Sequence, residues 1–155
     1  MMTTTANNLR LPYWNLAPEL FAAMRQVSER LSICTVESRL IELVYQRVSQ
    51  INGCAFCLGM HAEHLREAGE TSARLDQLAG WRESLLYTPA ERAALNWAES
   101  LTQIAVTHAT DVDYQPLLNH FNARQIAELT FAISQMNAWN RMAIAMRQSA
   151  KGVSA

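Results

Sequence analysis

The sequence predicts an all-α fold, a single-domain bundle of about six to seven helices. Three observations carry that expectation. Gly and Pro are scarce, 5 and 4 in 155 residues, and the β-branched alternation of half-buried strands is absent. Apolar residues recur instead at helical spacing, Leu40, Val44, Val48 and Ile51 in one stripe and Ile126, Leu129, Ile133, Met136 and Met142 in another. Helix-starting patterns precede several of these segments.

Taken in order, a first helix is expected from Pro18 to about Leu31, because Pro suits a first helical turn. A second runs from Val36 to Ile51. Asn52-Gly53 breaks it, since both residues tolerate the left-handed conformation that ends helices. A third starts near Cys54 and stops at Gly69, and a short fourth follows Thr71. Thr88-Pro89-Ala90-Glu91 has the form of a capping box with Pro at the first helical position, so a fifth begins there. Asp111 opens a shorter sixth, limited by Pro116. Asn122 with Gln125 three later caps a long last helix reaching about Gln148. That last helix is apolar around much of its girth, with Phe131, Trp139, Ile144 and Met146 off the main stripe. Such a helix wants cover on several sides, so an oligomer is expected.

Half the residues are hydrophobic and the formal net charge is -1. There is no basic excess to attract nucleic acid or an anionic membrane. The opening Met1–Asn8 is polar and lacks the apolar stretch of a secretion signal, and no run is long enough to span a bilayer. The expected location is the cytoplasm. The 3 cysteines do not make a disulfide framework, and in a reducing compartment a paired set points to catalysis or metal binding.

The most informative segment is Cys54-Ala55-Phe56-Cys57-Leu58-Gly59-Met60-His61, with Glu42 upstream. On a helix, positions three and four apart are neighbours, so Cys54, Cys57 and His61 share a face. The break at Asn52-Gly53 puts the cysteines in the first turn of a new helix. Free N–H groups and the positive end of the helix dipole stabilise a thiolate there. His61, one turn beyond Cys57, is placed to serve as its base. Glu42 orients His61 or accepts its proton if the two helices pack antiparallel. The site reads as a redox dithiol. Cys34 has no partner at motif spacing and reads as core. Tyr13, Trp14, Trp81 and Trp139 are candidates to line a substrate pocket.

Two other chemistries compete. Cys54, Cys57, His61 and His64 share a helix face, but at the usual helical rise they extend over about 15 Å. Zinc holds its ligands at about 2.0–2.3 Å, so one helix cannot bring all four to one ion. Cys57 and His61 would need ligands from elsewhere, and nothing in the spacing of His108 and His120 ties them to the motif. Thioredoxin-like chemistry needs a βαβ pattern before the motif, and none is visible.

The stretch Glu42–Thr71 resembles the core motif of the alkyl hydroperoxidase D (AhpD-like) branch of the carboxymuconolactone decarboxylase family. The pattern is a Glu, eleven residues, Cys-x-x-Cys, three residues and His. Trp81-Arg82-Glu83-Ser84, Ala94-Leu95-Asn96-Trp97 and Asn137-Ala138-Trp139-Asn140-Arg141 resemble family sequence as well, so the likeness extends from about Leu9 to Gln148. The resemblance implies an all-helical fold assembled as trimers or hexamers, and a peroxidase or disulfide-reductase activity. It implies that Cys57 attacks the peroxide, Cys54 resolves, and His61 and Glu42 belong to the proton relay. Helix position alone favours Cys54 as nucleophile, being nearer the helix start and more exposed. The best-known members carry a second His directly before the second cysteine, where this chain has Phe56. The decarboxylase branch lacks the cysteine pair, so Cys54 and Cys57 argue against lactone decarboxylation.

The expected function is therefore reduction of an organic hydroperoxide through a Cys57 sulfenic acid and a Cys54–Cys57 disulfide. The disulfide is recycled by a dithiol donor, a lipoyl group or a thioredoxin-like protein. No flavin, haem or metal is required. A redox sensor or thiol–disulfide exchange protein with little turnover is the alternative.

Overall fold

A computed structural model describes residues 9–149; the polar Met1–Asn8 stretch lies outside the described residues. Nine α-helices follow one another in it: α1 (Tyr13–Leu16), α2 (Pro18–Leu31), α3 (Ser38–Asn52), α4 (Ala55–Glu67), α5 (Ser72–Gln77), α6 (Pro89–Thr102), α7 (Ile104–Thr107), α8 (Asp111–Tyr114) and α9 (Ala123–Ala145). Short 3₁₀ turns lie at Leu78–Gly80 and Gln115–Asn119. The all-α single-domain bundle is as expected, but the helices outnumber the expected six to seven. The extra ones, α1 and α7, have 4 residues each. One turn is too short to show apolar periodicity. Among the described residues no helix is long and apolar enough to cross a membrane.

The long helices begin where their caps predict. Thr88 and Asn122 each complete a capping box, with Glu91 and Gln125 reaching back to the cap N–H. α9 ends at Ala145 rather than Gln148, because Arg147 takes a left-handed φ of 55° and turns the chain.

α3 is the central element, packed against α4, α6 and α9. That is why Leu40, Ile41, Leu43, Val44, Tyr45 and Val48 are all buried. Val44, Val48, Leu129 and Ile133 are fully enclosed in the main core, each contributing roughly 1.5–3 kcal/mol of apolar burial. Cys34, half-buried, packs against this core and its thiol donates to the Val36 carbonyl at 3.7 Å. α9 finds cover from α2, α3, α4 and α6. Trp139 is met by α2, its indole N–H donating to Ser28 Oγ at 2.9 Å, whereas Phe131 and Ile144 stay exposed.

A second cluster, Leu43, Leu65, Leu78, Trp81, Tyr87 and Leu95, fills the space between α3, α4 and α6. It is rimmed by charge. Glu99 accepts from Arg47 Nε, Trp81 Nε1 and Arg82, each at 2.8 Å. Arg74 bridges Glu70 and Glu91 at 2.9 and 2.6 Å. Burial pushes the Glu99 carboxyl up, but the hydrogen bonds from Trp81, Arg82 and Arg47 outweigh it and hold Glu99 below the ordinary carboxylate range. The same balance, with Arg74 and Thr88, lowers Glu91. A carboxyl lowered in the folded chain stabilises it above the unfolded value of 4.5, and that stability is lost as pH falls through the folded value. Glu99→Gln is therefore expected to lower the melting temperature at pH 7 and to shrink the further loss seen on acidification. Thermal melts between neutral and strongly acidic pH check this, and an unchanged acid slope would contradict it.

Candidate active site

The site begins at the α3–α4 junction. Gly53 ends α3 at φ 70°, with its N–H bonded to the Ser49 carbonyl, and the Cys54 N–H reaches the same carbonyl at 3.1 Å. The first is the 5→1 bond of the αL helix end and the second the 6→1 bond of the Schellman type. A Cβ at Gly53 would meet nothing within 4 Å, so what a side chain costs there is conformational, about 1–2 kcal/mol. The turn leaves two residues, Gly53 and Cys54, between the two helices. Cys54 is the N-cap of α4, its sulfur accepting the Cys57 N–H at 3.3 Å.

Cys54 and Cys57 are joined in a disulfide, their Cα atoms 5.3 Å apart, within the ordinary span for such bridges. Both sit at the positive end of a 13-residue helix, which favours a thiolate once the bond is reduced. The expectation that Cys54 is the more exposed is corrected. Cys54 is 1% exposed and Cys57 3%, because the tight turn packs Cys54 against Ala143 of α9. What separates them is the cavity: Cys57 lines it and Cys54 does not.

That cavity has a volume of about 480 Å³. Tyr13, Phe21, Phe56, Met60, Met136 and Trp139 give it an apolar wall, and Glu42 and His61 reach it beside Cys57. Of the four aromatics expected to line a pocket, Tyr13 and Trp139 do. Trp14 packs edge-on against Tyr13 at 5.0 Å, and Trp81 is buried in the second core cluster.

α3 and α4 bring Glu42 and His61 together, with His61 Nδ1–H donating to Glu42 Oε2 at 2.7 Å. Against a carboxylate this contact requires a proton on Nδ1, and in that neutral tautomer Nε2 carries the lone pair. Nε2 is buried and has no hydrogen-bond partner among the described residues. The ring of Tyr45 lies 5.1 Å from that of His61. Burial, then the charge of Glu42, raises the Tyr45 phenol far above its usual range, so Tyr45 stays protonated and is no base here. His108 caps α7 at φ 59° and His120 meets Phe121 edge-on, and neither lines the cavity.

Two contacts are not among those the sequence predicts. His64 joins Glu42, its Nδ1 3.4 Å from the same Oε2; the spacing of three from His61 was the available signal. Beneath the dithiol, fully buried Asn140 of α9 donates to Ser49 Oγ at 3.1 Å and accepts from Asn52 Nδ2 at 2.9 Å. Asn137 accepts from the same amide at 2.9 Å. This clamp holds the end of α3, and hence the turn into Cys54. Removing one buried partner costs about 1–3 kcal/mol.

A helical bundle with a disulfide-forming Cys-x-x-Cys at a helix start, a Glu–His pair beside it and an apolar cavity in front is a redox-active dithiol protein. The chain belongs to the carboxymuconolactone decarboxylase family, whose model matches residues 18–100, and it has the AhpD-like fold. It is 37% identical over 137 residues to the uncharacterized protein YdfG of Bacillus subtilis (strain 168), across 88% of this chain and 93% of that one. A crystal structure from Agrobacterium tumefaciens, of a protein of unknown function provisionally designated antioxidant defence protein AhpD, superposes with a TM-score of 0.90 at 37% identity. It covers 93% of this chain and 99% of that one. A peroxidase-related protein from Silicibacter sp. TM1040 shares the fold alone, with a TM-score of 0.77 at 19% identity over 96% and 95% of the two chains.

Proposed function

We propose that this chain is a dithiol peroxidase for organic hydroperoxides. The observation that carries the reading is Cys57, disulfide-bonded to Cys54, opening onto an apolar cavity beside the Glu42–His61 pair. In the reduced state His61 takes the Cys57 thiol proton. The thiolate attacks the terminal oxygen of the hydroperoxide, the O–O bond breaks, and the alkoxide takes a proton and leaves as the alcohol. Cys57 is now a sulfenic acid. The Cys54 thiol displaces its hydroxyl as water and forms the disulfide. A dithiol donor, a lipoyl group or a thioredoxin-like protein, then returns two electrons and two protons and becomes a disulfide itself. The two sulfurs supply the redox chemistry.

The apolar wall favours a bulky hydrocarbon substituent on the peroxide. The chain acts as a homo-oligomer, trimer or hexamer, a reading supported by Phe131 and Ile144 exposed on α9. It works in the cytoplasm, where a reducing pool sustains a dithiol. A second reading, redox sensing or thiol–disulfide exchange with a protein, is favoured by Phe56, a hydrocarbon ring packed against the cysteines.

Donor-coupled turnover separates the two. The peroxidase reading predicts a kcat/KM at least about tenfold higher for cumene hydroperoxide than for hydrogen peroxide. Equal or reversed preference contradicts the apolar-substrate assignment. Absent turnover with rapid exchange against a protein disulfide selects the second reading.

A further inference from the structure

The scheme above leaves His64 unused. Glu42 Oε2 lies 2.7 Å from His61 Nδ1 and 3.4 Å from His64 Nδ1, one carboxylate oxygen between two imidazoles. Side-chain exposure rises along the series, 4% for His61, 24% for Glu42 and 45% for His64. His61 touches solvent least, yet it is the ring that must change its proton count beside Cys57. Among the described residues, the contacts of His61 and the lining of the cavity offer it no other basic route. Tyr45 is held protonated by burial. Of the groups that line the cavity from other helices, Tyr13 of α1 is also raised by burial, and Arg25 of α2 is ion-paired to Glu29 at 3.3 Å.

We propose that His64 is the proton port of the dithiol site, exchanging protons between solvent and the buried His61 through Glu42. It touches neither sulfur nor substrate and acts through Glu42. The inference rests on the base role given to His61 above. When the Cys57 thiol ionises, its proton goes to His61 Nε2. The Nδ1 proton moves to Glu42 Oε2, and His64 takes it on to solvent. When the alkoxide forms, one proton returns from His64 through Glu42 to Nδ1, and the Nε2 proton goes to the alkoxide. The outward move leaves His61 in the opposite tautomer and the return restores the original, so the cycle closes with no net proton. The port sets how fast Cys57 reaches and holds the thiolate before peroxide arrives.

The trio also contains metal-ligand types, its three atoms lying within 4.8 Å of one another. Nitrogen and oxygen ligands about 2.0–2.2 Å from a tetrahedral zinc ion lie roughly 3.3–3.6 Å apart, so binding there would open the 2.7 Å Glu42–His61 bond. The short Glu42–His61 hydrogen bond, with His64 Nδ1 3.4 Å from the same oxygen, fits proton transfer.

The test is a stopped-flow pH jump on the reduced protein, following thiolate absorbance in the ultraviolet, with His64→Ala and His64→Gln. Gln keeps a polar partner for Glu42 but cannot relay a proton. Both variants are expected to slow thiolate formation by about tenfold or more at low buffer concentration, with added imidazole restoring most of the rate. Unchanged rates in both variants would overturn the proposal, and so would a loss that imidazole does not restore, which marks a structural role. Zinc bound by the wild type and lost in His64→Ala, with thiolate rates unchanged, would overturn it in favour of a metal site. Because thiolate formation is read without peroxide, a failed port and a failed peroxidase assignment remain distinguishable.

Discussion

Cys57→Ser is expected to abolish hydroperoxide turnover completely, whereas Cys54→Ser should react once and stop. The two cysteines have almost the same burial, so accessibility to solvent does not distinguish them; contact with the cavity does. A serine hydroxyl at position 57 is not ionised by a histidine in the resting site and does not accept oxygen from a peroxide, so nothing replaces the lost step. In Cys54→Ser the first step is intact. The Cys57 sulfenic acid forms, finds no thiol beside it, and stays until an external thiol or more peroxide consumes it. Mass spectrometry of each variant after one equivalent of hydroperoxide reads this directly. One added oxygen on Cys57 is expected in Cys54→Ser, and none on Cys54 in Cys57→Ser. Oxygen on Cys54 would reverse the assignment and restore the argument from helix position.

The second large effect is expected at His61. Its Nδ1–H is committed to Glu42 at 2.7 Å and its Nε2 is buried with no partner among the described residues; in the proposed scheme the reduced Cys57 thiol, one turn earlier on α4, becomes that partner. His61→Ala is expected to lower kcat/KM for hydroperoxide by about 10²–10⁴-fold, the usual worth of a placed general base. Glu42→Gln should cost less, because Gln still accepts from Nδ1–H but no longer stabilises the imidazolium. Rates of both variants measured against pH check this. The deficit of His61→Ala should shrink at alkaline pH, where hydroxide ionises the thiol unaided. A deficit constant across pH would mean that His61 only packs the site.

Much of this was legible in the sequence, for local reasons. Pro18, Thr88-Pro89-Ala90-Glu91 and Asn122 with Gln125 each mark a helix start through the chemistry of their own few residues, and Asn52-Gly53 marks an end by backbone conformation. The Cys54–Cys57–His61 face follows from helical spacing. Single turns such as Tyr13–Leu16 and Ile104–Thr107 carry no period to detect. Around Asp111 the sequence suggested one helix, and the structure has one α-turn passing into a 3₁₀ segment that contains Pro116, whose ring lacks the N–H that an α-helix needs. Long-range contacts were harder. Glu42 meets His61 only because α3 and α4 fold back on each other, a condition the sequence stated but did not meet by itself. The burial of Cys54 against Ala143 and the Asn52–Asn140–Ser49 clamp depend on where α9 lies, which no local pattern encodes. Helical spacing places His64 on the face of His61, but its neighbour Glu42 lies on α3, and no local spacing joins the two.

The most direct test of the central claim is single-turnover thiol loss in the reduced protein mixed with cumene hydroperoxide, followed by stopped flow. The account predicts rapid loss of both Cys54 and Cys57 thiols, with Cys34 retained, and no rapid phase in Cys57→Ser. Loss no faster than that of a free thiol in solution would contradict the peroxidase assignment and leave disulfide exchange as the function of the pair.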